Sequence, residues 1–171
     1  MAVMLIQTTR AYIRPYTPED LDNFFLLNGD EQVMQYIRKT ISKEESGLFL
    51  KEIIAGYNLF PGLGRWAMIE KMTGQFMGTF SLLPLEQRKD IHIGYALLKN
   101  FWGKGYASEM VKGGLQYGYN QLKLPSIVAV THPGNIASQK ILLNNNFIYE
   151  GIYSETGKEE FIFRHMKPQD N

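Results

Sequence analysis

The stretch Trp102-Gly103-Lys104-Gly105-Tyr106-Ala107-Ser108 decides how the rest of the chain is read. It stands between an alternating segment, Asp90 to Leu98, and a run with apolar or small residues at helical spacing (Ala107, Met110, Val111, Gly114, Leu115, Gly118). Two glycines and an alanine let the backbone come close to a ligand. The first N–H groups of the following helix have no partner within it. Together with the helix dipole they form an anion site suited to a phosphate or pyrophosphate. A glycine-bearing turn before a helix is also a common tight connection, so the neighbouring segments must decide. Two common nucleotide folds are excluded. The G-x-x-x-x-G-K-[ST] pattern is absent. A dinucleotide fingerprint fails because Ser108 stands where a third Gly is needed and no acid ends the Ile127–Thr131 segment.

Working outward, Asp90 to Leu98 reads as a strand with Ile91, Ile93, Tyr95 and Leu97 on one face and His92, Gly94, Ala96 and Leu98 on the other. Downstream, Ile127 to Thr131 is a short apolar strand that predicts burial, and Asn135 to about Asn145 a helix with Asn146 as a left-handed cap. Phe147–Tyr153 and Glu159–Met166, separated by Thr156-Gly157-Lys158, predict two closing strands. Upstream, Thr9 to Pro15 alternates as a first strand, and Thr17-Pro18-Glu19-Asp20 reads as an N-cap, a Pro at the first helical position and early acids. Leu21, Phe24 and Phe25 continue at helical spacing, and a short turn carries Val33, Tyr36 and Ile37. Ser42 with Glu45 forms a capping box, and Leu50, Ile53, Ile54 and Tyr57 fall on one helical stripe. Arg65–Glu70 and Gln75–Leu82 around Lys71–Gly74 read as a hairpin. The order β-α-α-β-β-β-α-β-α-β-β predicts an α+β domain with a mixed sheet.

The 171 residues fit one domain, 1–171, with a sizeable core. Lys+Arg 18 against Asp+Glu 17 leaves +1, which argues against general nucleic-acid or anionic-membrane binding. With no cysteine, disulfides, thiolate ligands and a Cys nucleophile are excluded. No apolar run approaches a membrane span, and Met1–Ile6 is too short for a signal segment. A cytoplasmic protein is therefore expected. His132 and His165 have no ligand-like spacing with His92, so no metal is expected.

Trp102-Gly103-Lys104-Gly105-Tyr106-Ala107 resembles the acetyl-CoA pyrophosphate loop of GNAT N-acetyltransferases, [QR]-x-x-G-x-[GA], matched at Gly105 and Ala107, with Trp102 in place of Gln/Arg. The following Ser108-Glu109 makes it similar to the branch of ribosomal-protein N-terminal acetyltransferases (RimJ/RimL type). Ile93-Gly94-Tyr95, the Asn135 and Ser138 of an N-x-x-S segment, and Phe147 followed by Glu150-Gly151 resemble that branch in the same order, from about Thr9 to Pro168. His92 stands where relatives carry an acid, and Asn144-Asn145-Asn146-Phe147 replaces K-L-G-F.

The resemblance implies a mostly antiparallel, twisted sheet of about seven strands with strands 4 and 5 splayed, flanked by about four helices. It implies that the loop Trp102–Ser108, including Gly103, Lys104, Gly105, Tyr106, Ala107 and Ser108, holds the acetyl-CoA pyrophosphate. It also implies that the pantetheine pairs with the strand edge at Tyr95, Ala96, Leu97 and Leu98, where a backbone N–H polarises the thioester carbonyl. Asn135 contacts the pantetheine or caps its own helix. Direct attack by an amine needs no enzyme nucleophile, only an unprotonated amine, an oxyanion donor and a proton for the departing thiolate. Ser138 is the candidate for the thiolate, and His92 for the base. A His near its ordinary 6.5 suits an α-amine at 7.7–8.0 better than a lysine at 10.4. Arg65 and Trp66 are candidates for the acceptor cleft, with Arg38–Ser42 and Tyr57–Arg65 as acceptor loops, while Met34, Met68, Met77 and Met110 read as packing. The implied activity is acetyl transfer to a protein N-terminal amine. A small-molecule amine and a non-catalytic acyl-CoA sensor are the alternatives, and a homodimer is a family expectation.

Overall fold

The computed structural model describes residues 5–85, 88–155 and 157–169. Residues 1–4 of the Met1–Ile6 reading and Thr156 of the final predicted turn lie outside the described residues. The strands are β1 (Ala11–Arg14), β2 (Gly64–Glu70), β3 (Phe76–Pro84), β4 (Ile91–Leu97), β5 (Ser126–Thr131), β6 (Ile148–Glu155) and β7 (Lys158–Met166). The helices are α1 (Leu21–Asn28), α2 (Glu31–Met34), α3 (Lys43–Gly56), α4 (Tyr106–Asn120) and α5 (Ile136–Asn144). Among the described residues the strands form one sheet in the order β1-β2-β3-β4-β5-β7-β6. Every neighbouring pair is antiparallel except β4 and β5. That pair must be parallel, because α4 carries the chain back across the sheet between them.

Local signals account for most element ends. Ser42 accepts the Glu45 N–H at 3.1 Å while the Glu45 carboxylate accepts the Ser42 N–H at 2.7 Å, so the capping box starts α3 as its sequence predicts. Asn146 adopts φ 62 and closes α5. The Pro18 turn opens as a short 3-10 segment, Pro18–Asp20, instead of running straight into a helix. Asp20 explains this: its carboxylate accepts the Thr17 N–H and also pairs with Arg14 at 2.7 Å. The predicted short turn carrying Val33, Tyr36 and Ile37 forms, with the Ile37 and Arg38 N–H groups both donating to the Met34 carbonyl. Only Glu31–Met34 is helical, and Ile37 remains 42% exposed.

The sheet separates two cores. Trp66, Met68, Phe80, Ile93 and Ile127 face α4 and α5, where Met110, Val111, Leu115 and Leu142 cover them. Ala67, Ile69, Phe76 and Ala96 face α1–α3 and meet Phe24, Leu27, Val33 and Leu50. The two faces of β4 are those its alternation predicts. Met34, Met68, Met77 and Met110 are all buried. Trp66 is only 1% exposed, so it belongs to the core, whereas Arg65 points to the opposite face.

At Gly78, β3 approaches β4 so closely that a Cβ would stand 2.0 Å from the Ala96 carbonyl oxygen. Gly78→Ala is expected to cost about 1–3 kcal/mol or more, because the neighbour it meets is backbone and cannot rotate away. Urea unfolding checks this, and an unchanged midpoint would show that the two strands part without cost.

Candidate active site

The loop before α4 is held by dihedral angles. Gly103 sits at φ 69 and Gly105 at φ 81, both left-handed, yet a Cβ at Gly103 would meet nothing within 4 Å. Glycine is needed here for conformation, not for want of space. The first helical bond of α4 runs from the Glu109 N–H to the Gly105 carbonyl at 3.0 Å. The N–H groups of Tyr106, Ala107 and Ser108 precede it and have no helical acceptor. Arg10 fixes the loop from β1's side. Its Nε meets Glu109 at 2.8 Å, its Nη1 donates to the Lys104 carbonyl at 3.0 Å, and its guanidinium lies 4.3 Å over the Tyr106 ring. The Tyr106 hydroxyl in turn donates to Glu70.

These elements border a groove of about 450 Å³ lined by Trp102, Gly103, Gly105, Ala107 and Ser108 from the loop, with Ile141 from α5. Asn145 at the end of α5 donates to Ser108 Oγ at 2.9 Å and ties the groove's two walls together. Lys104 does not line the groove; its exposed side chain instead helps hold the Glu70 carboxyl below its ordinary range, after hydrogen bonds from Thr73 and Tyr106.

The groove continues along β4. The two strands share one bridge, His92 with Val128, and then part, which is the expected splay. The Leu98 N–H goes to the Met77 carbonyl on β3 at 2.8 Å. Alternation therefore turns Ala96 toward β3 and turns the backbone groups of Tyr95 and Leu97 toward the gap. The Trp102 indole N–H takes the Leu97 carbonyl at 2.7 Å. The free edge is thus narrower than Tyr95–Leu98: the N–H and carbonyl of Tyr95 and the N–H of Leu97. Ala96 lines the groove with its side chain, and Leu98 does not reach it.

A second cavity of about 500 Å³ opens on the α1–α3 face, lined by Arg38, Arg65, Ser81, His92, Gly94 and Glu160 among others. The two cavities meet at Tyr36, Ile37, Tyr95, Ala96, Asn135 and Ser138. At that junction the Tyr95 hydroxyl and Ser138 Oγ are 3.1 Å apart. Burial pushes the Tyr95 phenol up to about 12, against the opposing effect of the Ser138 hydrogen bond, so it remains a proton donor. Asn135 caps α5 by accepting the Ser138 N–H at 3.1 Å. Tyr36 stacks on His132 with ring centroids 5.2 Å apart, which holds the chain after α2 against the turn before α5.

Of the residues the sequence singles out, Asn135 and Ser138 line both cavities, most of the loop lines the first, and His92, Arg65 and Arg38 of the Arg38–Ser42 segment line the second. The Tyr95 side chain and Tyr36 are not among the site residues it indicates. Alternation could have flagged Tyr95 as facing α5, but nothing local indicates a partner 43 residues away.

Free helix N–H groups behind a left-handed loop, an open strand edge and a hydroxyl pair suit an enzyme that moves acyl groups from coenzyme A thioesters. The chain belongs to the GNAT acetyltransferase family: the family model described as acetyltransferase (GNAT) domain matches residues 10–148. It is 31% identical over 155 residues to the uncharacterized N-acetyltransferase p20 of Bacillus licheniformis, covering 90% of this chain and 87% of that one. Its fold is similar to a GNAT-family acetyltransferase from Bacillus anthracis (TM-score 0.82, 21% identity, 94% and 97% of the two chains). It is also similar to RimL, a ribosomal L7/L12 alpha-N-protein acetyltransferase solved with coenzyme A (TM-score 0.77, 16% identity, 95% and 97%). The protein is an N-acetyltransferase, and acetyl-CoA is the cosubstrate of its fold. Among the described residues there is no group of three or more His, Cys, Asp or Glu able to hold a metal ion, and no helix long and apolar enough to cross a membrane.

A side chain at position 105 would be strained at φ 81, and its Cβ would stand 3.4 Å from Arg10 Nη2, on the side chain that fixes the loop. Gly105→Arg is expected to weaken acetyl-CoA binding at least about tenfold. Calorimetric titration checks it, and unchanged affinity would refute the assignment of the loop.

Proposed function

We propose that the protein, acting as a single domain over residues 1–171, acetylates the α-amine at the N-terminus of a polypeptide. The observation that carries this reading is the junction of the two cavities at Tyr95 and Ser138. The 500 Å³ cleft reaches that point from the α1–α3 face and is large enough for the first residues of an extended chain. The fold shared with an alpha-N-protein acetyltransferase supports the same acceptor class.

Acetyl-CoA supplies the acetyl group as a thioester. The left-handed loop and the first N–H groups of α4 hold its pyrophosphate, and the free edge of β4 aligns its arm. The N–H of Tyr95 or Leu97 stabilises negative charge developing on the carbonyl oxygen. The amine nitrogen forms the new C–N bond as the C–S bond breaks. His92, at the vertex of the splay, accepts the proton the amine loses, directly or through water. The Tyr95–Ser138 pair donates a proton to the departing sulfur, and the high pKa of the phenol keeps that proton in place at neutral pH.

Ser138→Ala and Tyr95→Phe are each expected to lower kcat by about 10²-fold or more with little change in acetyl-CoA affinity. Equal losses in affinity and turnover would reduce both to packing residues. His92→Ala should slow the reaction most below about pH 8, where an α-amine is protonated. An unaltered pH–rate profile removes His92 from the mechanism. Thiol release with a peptide panel set against a library of small amines tests the acceptor class itself.

A further inference from the structure

The chain has six arginines. Arg10, Arg14, Arg88 and Arg164 each pair with a carboxylate at 2.8 Å or closer. Among the described residues Arg38 and Arg65 have no such partner, and these two line the cleft on the α1–α3 face. Both are half-buried. Arg38 lies 4.9 Å and Arg65 5.8 Å from the centroid of the Phe49 ring, so one aromatic ring on α3 supports both guanidiniums.

Each is also positioned. Arg38 Nη2 donates to Asn28 Oδ1, and the buried Asn28 is itself fixed by donating from Nδ2 to the Phe24 carbonyl at 2.7 Å. The backbone of Arg65 is held by Tyr57, whose hydroxyl donates to the Arg65 carbonyl at 2.6 Å and accepts the Tyr16 N–H at 2.8 Å. A guanidinium has five N–H donors; Asn28 takes one of Arg38's, and both side chains line the cleft.

Burial pushes both guanidiniums down, Arg38 to about 10, where the neighbouring charge of Arg65 adds to the effect. Two like charges drawn partly out of water without a carboxylate are costly, and an anion between them offsets that cost.

We propose that Arg38 and Arg65 form an anion subsite that selects amine acceptors carrying a carboxylate close to the reacting amine. The inference rests on the reading of this cleft as the acceptor site. The sheet register gives the spacing: Arg65 lies opposite Ser81, and Ser81 lies opposite Gly94. Two strand spacings of about 4.8 Å place the Arg65 backbone roughly 10 Å from Gly94 at the gap. The glycine leaves that stretch of floor without a side chain, and an arginine side chain spans much of the distance. His92 on β4 and Glu160 on β7 line the other side of the cleft. An acceptor therefore lies with its amine toward β4 and its carboxylate toward Phe49. Acidic side chains at the second or third position of a peptide and the α-carboxylate of a free amino acid present the same chemistry.

The test compares kcat/KM for acceptors matched in all but charge. These are peptides of one length with Asp or Glu against Asn or Gln at positions two and three, and a free amino acid against its carboxamide. The acid is expected to be preferred by on the order of tenfold or more. In Arg38→Gln and Arg65→Gln that preference contracts toward unity with acetyl-CoA affinity unchanged, and lysine at either position restores part of it. If the acid preference is confined to free amino acids, the anion subsite stands and the polypeptide acceptor falls. Equal rates for acids and amides in the native enzyme, or equal losses for both in the variants, overturn the subsite. Should no acceptor turn over, thermal shifts with an N-acetylated acid and its carboxamide decide. A larger shift for the acid that is lost in the variants supports the subsite, and equal shifts overturn it.

Discussion

β4 and β5 are joined by a single parallel bridge, His92 with Val128, and beyond it their backbones diverge. A strand edge opened inside a protein leaves polar backbone groups that must find partners, and unpaired they would cost free energy comparable to a lost hydrogen bond each. This chain answers part of that demand itself, since Trp102 donates to the Leu97 carbonyl. What is left, chiefly the N–H and carbonyl of Tyr95 and the N–H of Leu97, points into the groove. The groove, the hydroxyl pair and the acceptor cleft all depend on that divergence. If β5 paired fully along β4, Ser138 and Tyr95 would not share an opening with His92 and Gly94.

Electrostatics then distinguishes the two ends of the passage. At the cosubstrate end the positive character comes from backbone: left-handed glycines and the free N–H groups of α4. Arg10 is spent on holding the loop and is matched by Glu109. At the proposed acceptor end the charge belongs to side chains, Arg38 and Arg65, with no carboxylate among the described residues paired to either. Between them the Tyr95 phenol is kept neutral because burial outweighs its hydrogen bond to Ser138. In the proposed mechanism this neutral phenol, at the junction of the two cavities, is the proton donor for the departing thiolate.

The sequence is informative here because its signals are local. The capping box at Ser42, the hairpin at Lys71–Gly74, the positive φ of Asn146 and the loop before α4 each depend on a handful of adjacent residues, and each forms as read. The site is less legible because it depends on register. Arg65 and Trp66 both read as cleft candidates, but neighbours on a strand face opposite sides, and Trp66 takes the core side. Arg38 lies beyond a helix of only four residues, where no periodicity extends. The Tyr95–Ser138 contact and the Asn145–Ser108 bond join segments 43 and 37 residues apart through the crossover of α4. The free edge was overestimated because parity along β4 is fixed only by the Leu98 N–H turning toward Met77.

An opening through a sheet has a further consequence. On the proposed reading the cosubstrate would lie on the side covered by α4 and α5 and the acceptor would enter from the side covered by α1–α3, so each layer would meet the reaction from its own face. The loop, Trp102, Asn135 and Ser138 all belong to the first layer or its connections. Asn28 and Arg38, which line the proposed acceptor cleft, and Phe49 beside Arg38 belong to the second. The cores beneath the two layers are separate clusters packed on opposite faces of the sheet. Substitutions on α1–α3 and its loops can therefore alter the charge and shape presented to an acceptor while Tyr95, Ser138 and the loop before α4 keep their positions. Substitutions that disturb the β3–β4 contact at Gly78 would reach both layers at once, because that contact sets the register of the edge they share.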